Sequence, residues 1–492
     1  MNTNRRDFIK NSAVLGALAA AAGCVTKNAK IVEGPAVMQG FSAPKIPELR
    51  IGVVGVGRRA QGALKRLSLI PHCKIVAVCD VIQTRIEDAQ AVVVKNGAEK
   101  PLGFTDYEKM LDLDFDVVYN VTPWQLHAPF SVRAMEKGKH VMIEVPAAMT
   151  LEECWALVET SERTKKHCMQ LENCCYGEAE LLCLNLVRNG LLGDIIYGEG
   201  AYIHDLHTKN YTDAKIHAAE FPNGYTNFWR LKYDAVHKGN QYETHGLVPL
   251  CEYMNINRGD RLVNLVSMES DQFTYEDFAR RRYPGTWKAD LHVEMGDKNE
   301  TLIRTEKGRL ITVQHDVSSP RPYSRRNLCQ GMKGVFMGIN FRDTPEAMYE
   351  DGSPVRLAWR REKKECIEKF FSFEEMSKIR QEYQHPYWKT AGECAKLVGG
   401  HNGMDFMMDL RWTYCLLQGL PLDTDVYDLA TICSLGELTE RSVRGGSIPM
   451  DIPDFTRGGW KTAKPLGIVN VDFAKLGLDP AKLKKDENAL NV

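Results

Sequence analysis

The sequence predicts an α/β protein: a parallel sheet wrapped by helices, followed by an α+β unit built on a large, mainly antiparallel sheet. Three observations predict it. Short apolar runs alternate with helical stretches from residue 50 to about 173, the rhythm of a parallel sheet covered on both faces. A glycine-rich turn joins the first strand to the first helix. Beyond residue 173 the pattern changes to longer, mixed strands and aromatic-rich loops such as "GYTNFWRLKYDAV" (224–236) and "RLITVQHDVSSPRPYSR" (309–325).

The bulk numbers agree with a soluble globular body. The 492 residues are 44% hydrophobic and 26% charged, with 63 basic against 64 acidic side chains. A net charge near zero gives no field to draw the chain onto nucleic acid or anionic lipid. Basic clusters such as Arg280–Arg282 lack the interleaved aromatics of a nucleic-acid footprint.

The elements follow in order. "NRRDFIK" (4–10) carries twin arginines, and a short apolar run leads to "AAGC" (21–24). That layout reads as a twin-arginine export signal over 1–24, too short to remain as a spanning helix. "AAGC" also resembles a lipoprotein box, making Cys24 a candidate lipid anchor and the only expected link to a membrane. The expected location is the periplasm or cell envelope. Residues 25–48, with Pro35, Pro44 and Pro47, read as a tether. Strands are expected at 50–56, 74–80, 116–121 and 140–145, and a Thr150–Glu153 capping box opens a helix through about His167. The first domain then spans 49–173 and the second 174–492. Thirteen cysteines follow Cys24 without repeated CxxC spacing, so most read as small core residues.

"GVGRRA" (55–60) gives chemistry to the first domain. Gly55 makes the tight turn after the strand, Gly57 lets backbone approach a pyrophosphate at a helix N-terminus, and Ala60 permits close helix–sheet packing. Asp80 ends the second strand, placed to accept ribose hydroxyls and to repel a 2′-phosphate. The pattern is a Rossmann dinucleotide site with NAD as its cofactor. Arg58 and Arg59 leave NADP open, because an arginine beside the ribose accommodates a phosphate.

In the second domain, "QYETHGLVPL" (241–250) sets Tyr242 and His245 three apart, on one face if helical. They are either an acid–base pair or a packed helix start. "HDLH" (204–207) offers His204 and His207 without a third ligand, so it reads as cleft rather than metal site, and no metal is expected. His401 and Asp405 read as a cap and its packing partner.

"VTPWQLHAPFSVRAMEKGKHVMIEVPAAMTLEE" (121–153), with its AxxxGKHVxxE-x-P core, resembles the Gfo/Idh/MocA oxidoreductases. By that resemblance Thr122, Trp124, His127, Glu144 and Val145 belong to the cofactor site. Those dehydrogenases usually carry EKP, the lysine acting on the hydroxyl being oxidised. Here the triplet is Glu144-Val145-Pro146, and valine transfers no proton.

"ENCCYG" (172–177), "NFWRLKY" (227–233), "YETHGLVPL", "HNGMDFMMDLRW" (401–412) and "DIPDFTRGG" (451–459) are in turn similar to glycoside hydrolase family 109, the NAD-dependent α-N-acetylgalactosaminidases. The resemblance implies catalytic roles for His245 and Tyr242, with Tyr176 a further candidate acid or base. It implies Arg230 as a substrate contact, joined by the aromatics Tyr225, Trp229 and Tyr323. It also implies a glycan with terminal N-acetylgalactosamine as partner, a tightly held and recycled NAD, and a homo-oligomer. The rivals are a conventional sugar dehydrogenase and a sugar-binding envelope protein without catalysis.

Overall fold

The computed structural model describes residues 34–213, 224–338, 355–360 and 366–483. The export signal, Cys24 and the tether up to residue 33 lie outside the described residues.

The first sheet contains β1 (Leu49–Val54), β2 (Cys73–Cys79), β3 (Leu102–Phe104), β4 (Val117–Asn120), β5 (His140–Ile143) and β6 (Cys168–Gln170). Its order is β3-β2-β1-β4-β5-β6 and every pairing is parallel. The strand order reverses direction between β1 and β4, which opens a ligand crevice beyond their carboxyl ends. β3 and β6 escaped the sequence reading because each has only three residues, too few to establish a period. The four expected strands end earlier than their apolar runs. Gly55 turns the chain with φ +81° after β1, and the Thr122–Pro123 turn and the cis Val145–Pro146 bond follow β4 and β5.

Thr150 caps the helix Leu151–Thr164 by accepting from the Glu153 amide. Glu153 Oε2 accepts from Met149 N rather than Thr150 N (2.7 Å), so the box closes one residue early. The helix stops at Thr164 because Lys165 adopts φ 52°.

The second sheet contains β7 (Ile195–Ile203), β8 (Leu262–Glu269), β9 (Asn299–Thr305), β10 (Leu310–Asp316), β11 (Leu328–Gly331), β12 (Gly334–Gly338), β13 (Val355–Trp359) and β14 (Met450–Asp451). The order is β13-β12-β11-β7-β10-β9-β8-β14, antiparallel except for β7 with β10. The mainly antiparallel second sheet is as expected. The stretch 224–236 is not a strand. After a turn with Asn227 and Phe228 at positive φ, it forms a short helix, Trp229–Asp234, burying Arg230, Leu231 and Asp234 on one side.

Late segments return to the first sheet. The helix Met404–Gln418 lies against Arg58–Ser68, and Val426–Arg444 against Leu151–Thr164. Two ion pairs to buried carboxylates fix the first contact, Arg66 Nε to Asp409 Oδ2 at 2.7 Å and half-buried Arg59 Nη1 to Asp405 Oδ2 at 2.8 Å. The last part of the expected tether also packs down. Met38 N donates to Tyr427 Oη (3.2 Å), Ala43 N to His167 Nε2 (3.2 Å) and Ile46 N to Leu416 O (3.2 Å). Its spacing of small and apolar residues between prolines hid this docking. The described cysteines are all free thiols, buried except for half-buried Cys73 and exposed Cys366.

Candidate active site

The crevice beyond β1 and β4 is shaped for a dinucleotide. A Cβ on Gly55 would fall 2.7 Å from the Val121–Thr122 backbone, so only glycine allows the two turns to touch. Gly57 differs, since a Cβ there would meet nothing nearer than Arg85 Nη1 at 3.7 Å. Protein packing does not require that glycine, and the space it leaves lies at the N-terminus of Arg58–Ser68. No side chain caps that end, so its first N–H groups face a site suited to phosphate. Ala60 is fully buried beneath it. Asp80 accepts from Ile82 N at 3.0 Å. Its burial raises the carboxyl pKa, opposed by neighbouring amides and Arg85.

Of the two arginines after Gly57, Arg58 is half-buried at the crevice and Arg59 is committed elsewhere. Arg59 Nε donates to Glu144 Oε1 (2.7 Å), while Nη1 and Nη2 donate to Asp405 (2.8 and 3.3 Å). It joins the residue after β5 to the late helix, and its charge is answered by carboxylates rather than left for a ribose phosphate. His127 braces the turns after β4 and β5. Its ring nitrogens lie 2.7 Å from Thr122 O and Pro146 O, tying the two turns together. Burial pushes its pKa down to about 4. Thr122 Oγ1 donates to Asn120 Oδ1 (2.7 Å), and Val145 is buried in the cis turn.

Trp124 carries the crevice into the second domain. Its ring lies 5.1 Å from Trp229, 5.5 Å from Tyr233 and 5.7 Å from Tyr242, with the Arg230 guanidinium 4.7 Å from its centroid. Arg230 is buried among aromatic faces, 5.3 Å from Tyr242, 5.6 Å from Tyr225 and 5.9 Å from Tyr202. Nη1 donates to Tyr225 Oη (3.1 Å), and Nε finds no hydrogen-bond partner among the described residues. A desolvated cation with an unused N–H is equipped to bind hydroxyl or carbonyl oxygens.

The helix after "YE" begins at Thr244, so Tyr242 precedes it and the two residues do not share a helical face. Packing nevertheless unites them, with ring centroids 4.9 Å apart and edge to face. The helix sits directly on β7 because two glycines meet. A Cβ on Gly200 would lie 2.0 Å from Gly246 O, and one on Gly246 would lie 2.3 Å from Ala201 N. This contact brings Tyr202 to 4.4 Å from Tyr242 and 5.3 Å from His245.

His245 Nδ1 lies 2.8 and 2.9 Å from the two oxygens of Glu172. Glu172 is buried and also accepts from Cys174 N at 2.9 Å, capping the turn Asn173–Tyr176. Burial works to raise its pKa, but His245 and the Cys174 amide outweigh it and hold the carboxyl below its ordinary value. The Tyr242 hydroxyl is pushed well above its usual range, by burial first, then by Tyr202 and the Glu144 and Glu172 carboxylates against Arg230. At neutral pH Tyr242 is therefore a phenol, a donor rather than a phenolate.

Beyond Tyr202 the wall continues through His204, whose Nδ1 is 2.9 Å from Tyr202 Oη, and Tyr323, 5.2 Å from the His204 ring. His207 turns away to Asp205 (2.5 Å) and the Tyr275 ring, so "HDLH" does not converge on one point. Glu172, Cys174 and His245 do bring metal-type donor atoms within 4.8 Å of one another, but the hydrogen bonds to Glu172 already account for that grouping. His401 Nδ1 lies 3.0 Å from Asp405 Oδ2, beside Arg59.

Tyr176 is not part of this wall. Its hydroxyl donates to Asp423 (3.0 Å) and its ring packs on Tyr387, in a buried cluster away from the His245–Tyr242 pair. The sequence pointed to it because it shares "ENCCYG" with Glu172, the residue that does reach His245. His204 was expected in the cleft, whereas Glu172 and Tyr202 went unassigned. A buried glutamate bonded to a histidine 73 positions later leaves no local signal.

Comparison with known proteins agrees with this geometry. Residues 49–171 match the family profile described as oxidoreductase family, NAD-binding Rossmann fold, and residues 176–462 match glycosyl hydrolase 109, C-terminal domain. Among solved structures, levoglucosan dehydrogenase in complex with NADH superposes with a TM-score of 0.60 at 17% identity, covering 83% of this chain and 100% of that one. An oxidoreductase domain protein from Kribbella flavida gives 0.62 at 20% identity, covering 83% and 100%. The chain is thus built as an NAD-binding two-domain protein of the Gfo/Idh/MocA fold.

Curated relatives narrow it further. A glycosyl hydrolase family 109 protein of Shewanella pealeana is 40% identical over 95% of this chain and 100% of its own length. One of Porphyromonas gingivalis is 43% identical over 86% and 87%. The chain belongs to glycosyl hydrolase family 109.

Proposed function

We propose that the protein removes terminal α-linked N-acetylgalactosamine from glycans, keeping one NAD through each cycle with no net oxidation. Bound NAD supplies a reversible two-electron acceptor at C3 of the sugar, and a ketone there acidifies the proton at C2. The chain's own groups handle protons and position. His245 takes the proton of the C3 hydroxyl. Tyr242, a neutral phenol, donates a hydrogen bond to the oxygen that gains charge when C2 is deprotonated. Loss of the aglycone from C1, addition of water to the unsaturated ketone and return of the two electrons to C3, with His245 giving its proton back to the C3 oxygen, complete the hydrolysis. Arg230, desolvated among Trp124, Tyr225 and Tyr242, grips sugar oxygens, and Trp229 and Tyr323 complete the walls of the pocket.

One observation carries this reading. Trp124, from the turn after β4, packs 5.7 Å from Tyr242, which packs 4.9 Å from His245, while Val145 stands where the resemblance to the dehydrogenases leads one to expect a lysine. Proton transfer then falls to the His245 wall. Export by the twin-arginine route, which delivers folded protein, suits a cofactor loaded before transport and retained afterwards.

The test uses the purified chain without its signal and without added NAD, given an aryl α-N-acetylgalactosaminide in heavy water. Aryl release with deuterium at C2 is expected. NADH accumulation with sugar and added NAD would instead mark a dehydrogenase. Neither release nor exchange after NAD is supplied would sink the proposal.

A further inference from the structure

His245 is 13% exposed at its side chain and buries one ring edge against Glu172. Both carboxylate oxygens lie within hydrogen-bond distance of Nδ1, at 2.8 and 2.9 Å, and Cys174 N fixes Oε1 from the other side at 2.9 Å. The carboxylate comes from the turn after β6, not from the helix that carries His245, so two elements jointly set the ring. Tyr202 and Tyr242 stand edge to face against that ring at 75° and 86°, restricting its rotation.

We propose that Glu172 is the positioning residue of this site, holding His245 with its proton on Nδ1 and its lone pair on Nε2. An ionised carboxylate can only accept, so Nδ1 must be the donor of the bond. A neutral imidazole has one N–H, and Nε2 is left as the acceptor for a substrate hydroxyl proton. The logic is that of other carboxylate-oriented histidine bases, reached here across 73 residues of sequence. This inference rests on His245 acting upon substrate, but the tautomer it assigns exists with or without turnover.

The experiment compares the NAD-loaded wild type with Glu172→Gln and Glu172→Leu. Nitrogen-15 spectra of the histidine side chains, with His245 assigned by its absence in His245→Phe, report which nitrogen bears the proton. The wild type is expected to show Nδ1–H. Glu172→Leu is expected to populate Nε2–H and to lose kcat by roughly 100-fold or more with KM within about threefold, the scale of a misplaced general base. Glu172→Gln keeps an oxygen able to accept from both Nδ1 and Cys174 N, so it should hold the tautomer and recover most of the rate. An Nε2–H wild type, or a Glu172→Leu variant whose kcat stays within about threefold, overturns the proposal. If the wild type hydrolyses no glycoside, the spectra still decide the tautomer, so failure of the functional reading is distinguishable from failure of this one.

Discussion

Arg66→Met isolates what the late helix contributes to the nucleotide domain. Arg66 Nε sits 2.7 Å from Asp409 and Nη1 3.3 Å from Asp405, with side-chain exposures of 4%, 0% and 2%. Breaking a buried pair from one side costs about 3–5 kcal/mol, because a charge stays behind without its partner. Asp409 keeps neutral donors in Tyr119 Oη (3.3 Å) and Trp412 Nε1 (3.2 Å), and Asp405 keeps Arg59. These place the loss near the lower bound, about 3 kcal/mol, or on the order of 3 °C in the unfolding midpoint for a chain of this length.

Burial already raises the Asp409 pKa and Arg66 is the main force lowering it. Without Arg66 the carboxyl takes a proton more readily, so the variant should lose less stability at pH 5 than at pH 8. Adding Asp409→Asn removes the stranded charge while keeping an acceptor for Tyr119 and Trp412. The double variant should therefore be more stable than Arg66→Met alone. Thermal and urea unfolding followed by tryptophan fluorescence at saturating NAD measures the cycle. Additive losses, or a single-variant loss below about 1 kcal/mol, would refute the claim that this pair holds the two segments together.

Other outcomes follow from single contacts. Gly57→Val fills space that only a ligand needs, so NAD should no longer co-purify while the apo protein stays within about 1 kcal/mol of wild type in urea; retained NAD would contradict the cradle. Tyr176→Phe should leave kcat within about threefold and cost about 1 kcal/mol for the lost bond to Asp423, and a large fall in kcat would return Tyr176 to the site. Stability should also fall from about pH 6.5 to 8.5. Burial raises Glu243 and Glu252 to about 8 and Asp234, Glu153 and Asp425 to about 7, so the folded state binds more protons than the unfolded one across that window and loses ground as they leave. Below pH 6.5 buried His127, His140, His167, His315 and His385, depressed to about 3–4, act in the opposite sense, because the unfolded chain takes up protons first. A midpoint that rises between pH 6.5 and 8.5 would contradict this assignment.

The nucleotide half was legible because its signals are local. Gly55, Gly57 and Asp80 each act within a few residues of a strand end, and the βαβ rhythm is a property of adjacent segments. The aromatic wall around His245 was legible only in part. Tyr242 and His245 were named together by spacing along a helix, yet Tyr242 precedes that helix and the pairing comes from contact with Tyr202 on β7. Arg59, Tyr176 and His127 were named from the motifs they sit in, and the structure adds partners that those motifs do not show: Asp405, Asp423 and two carbonyls. Glu172 and the Arg66–Asp409 pair depend on how the chain folds back over long separations, which no window of sequence reports.

The Gly200–Gly246 contact gives the site a mechanical reference surface. Main chain rests on main chain there, so at the end of the helix that carries His245 its height above the second sheet is set by backbone rather than by the size or rotamer of an intervening side chain. Neighbouring wall positions such as Tyr323 or Tyr225 can then be exchanged without tilting His245. The same seat sets a limit: one methyl group on either glycine would lift the whole helix, and a change too small to alter the pocket's chemistry would put its parts out of register.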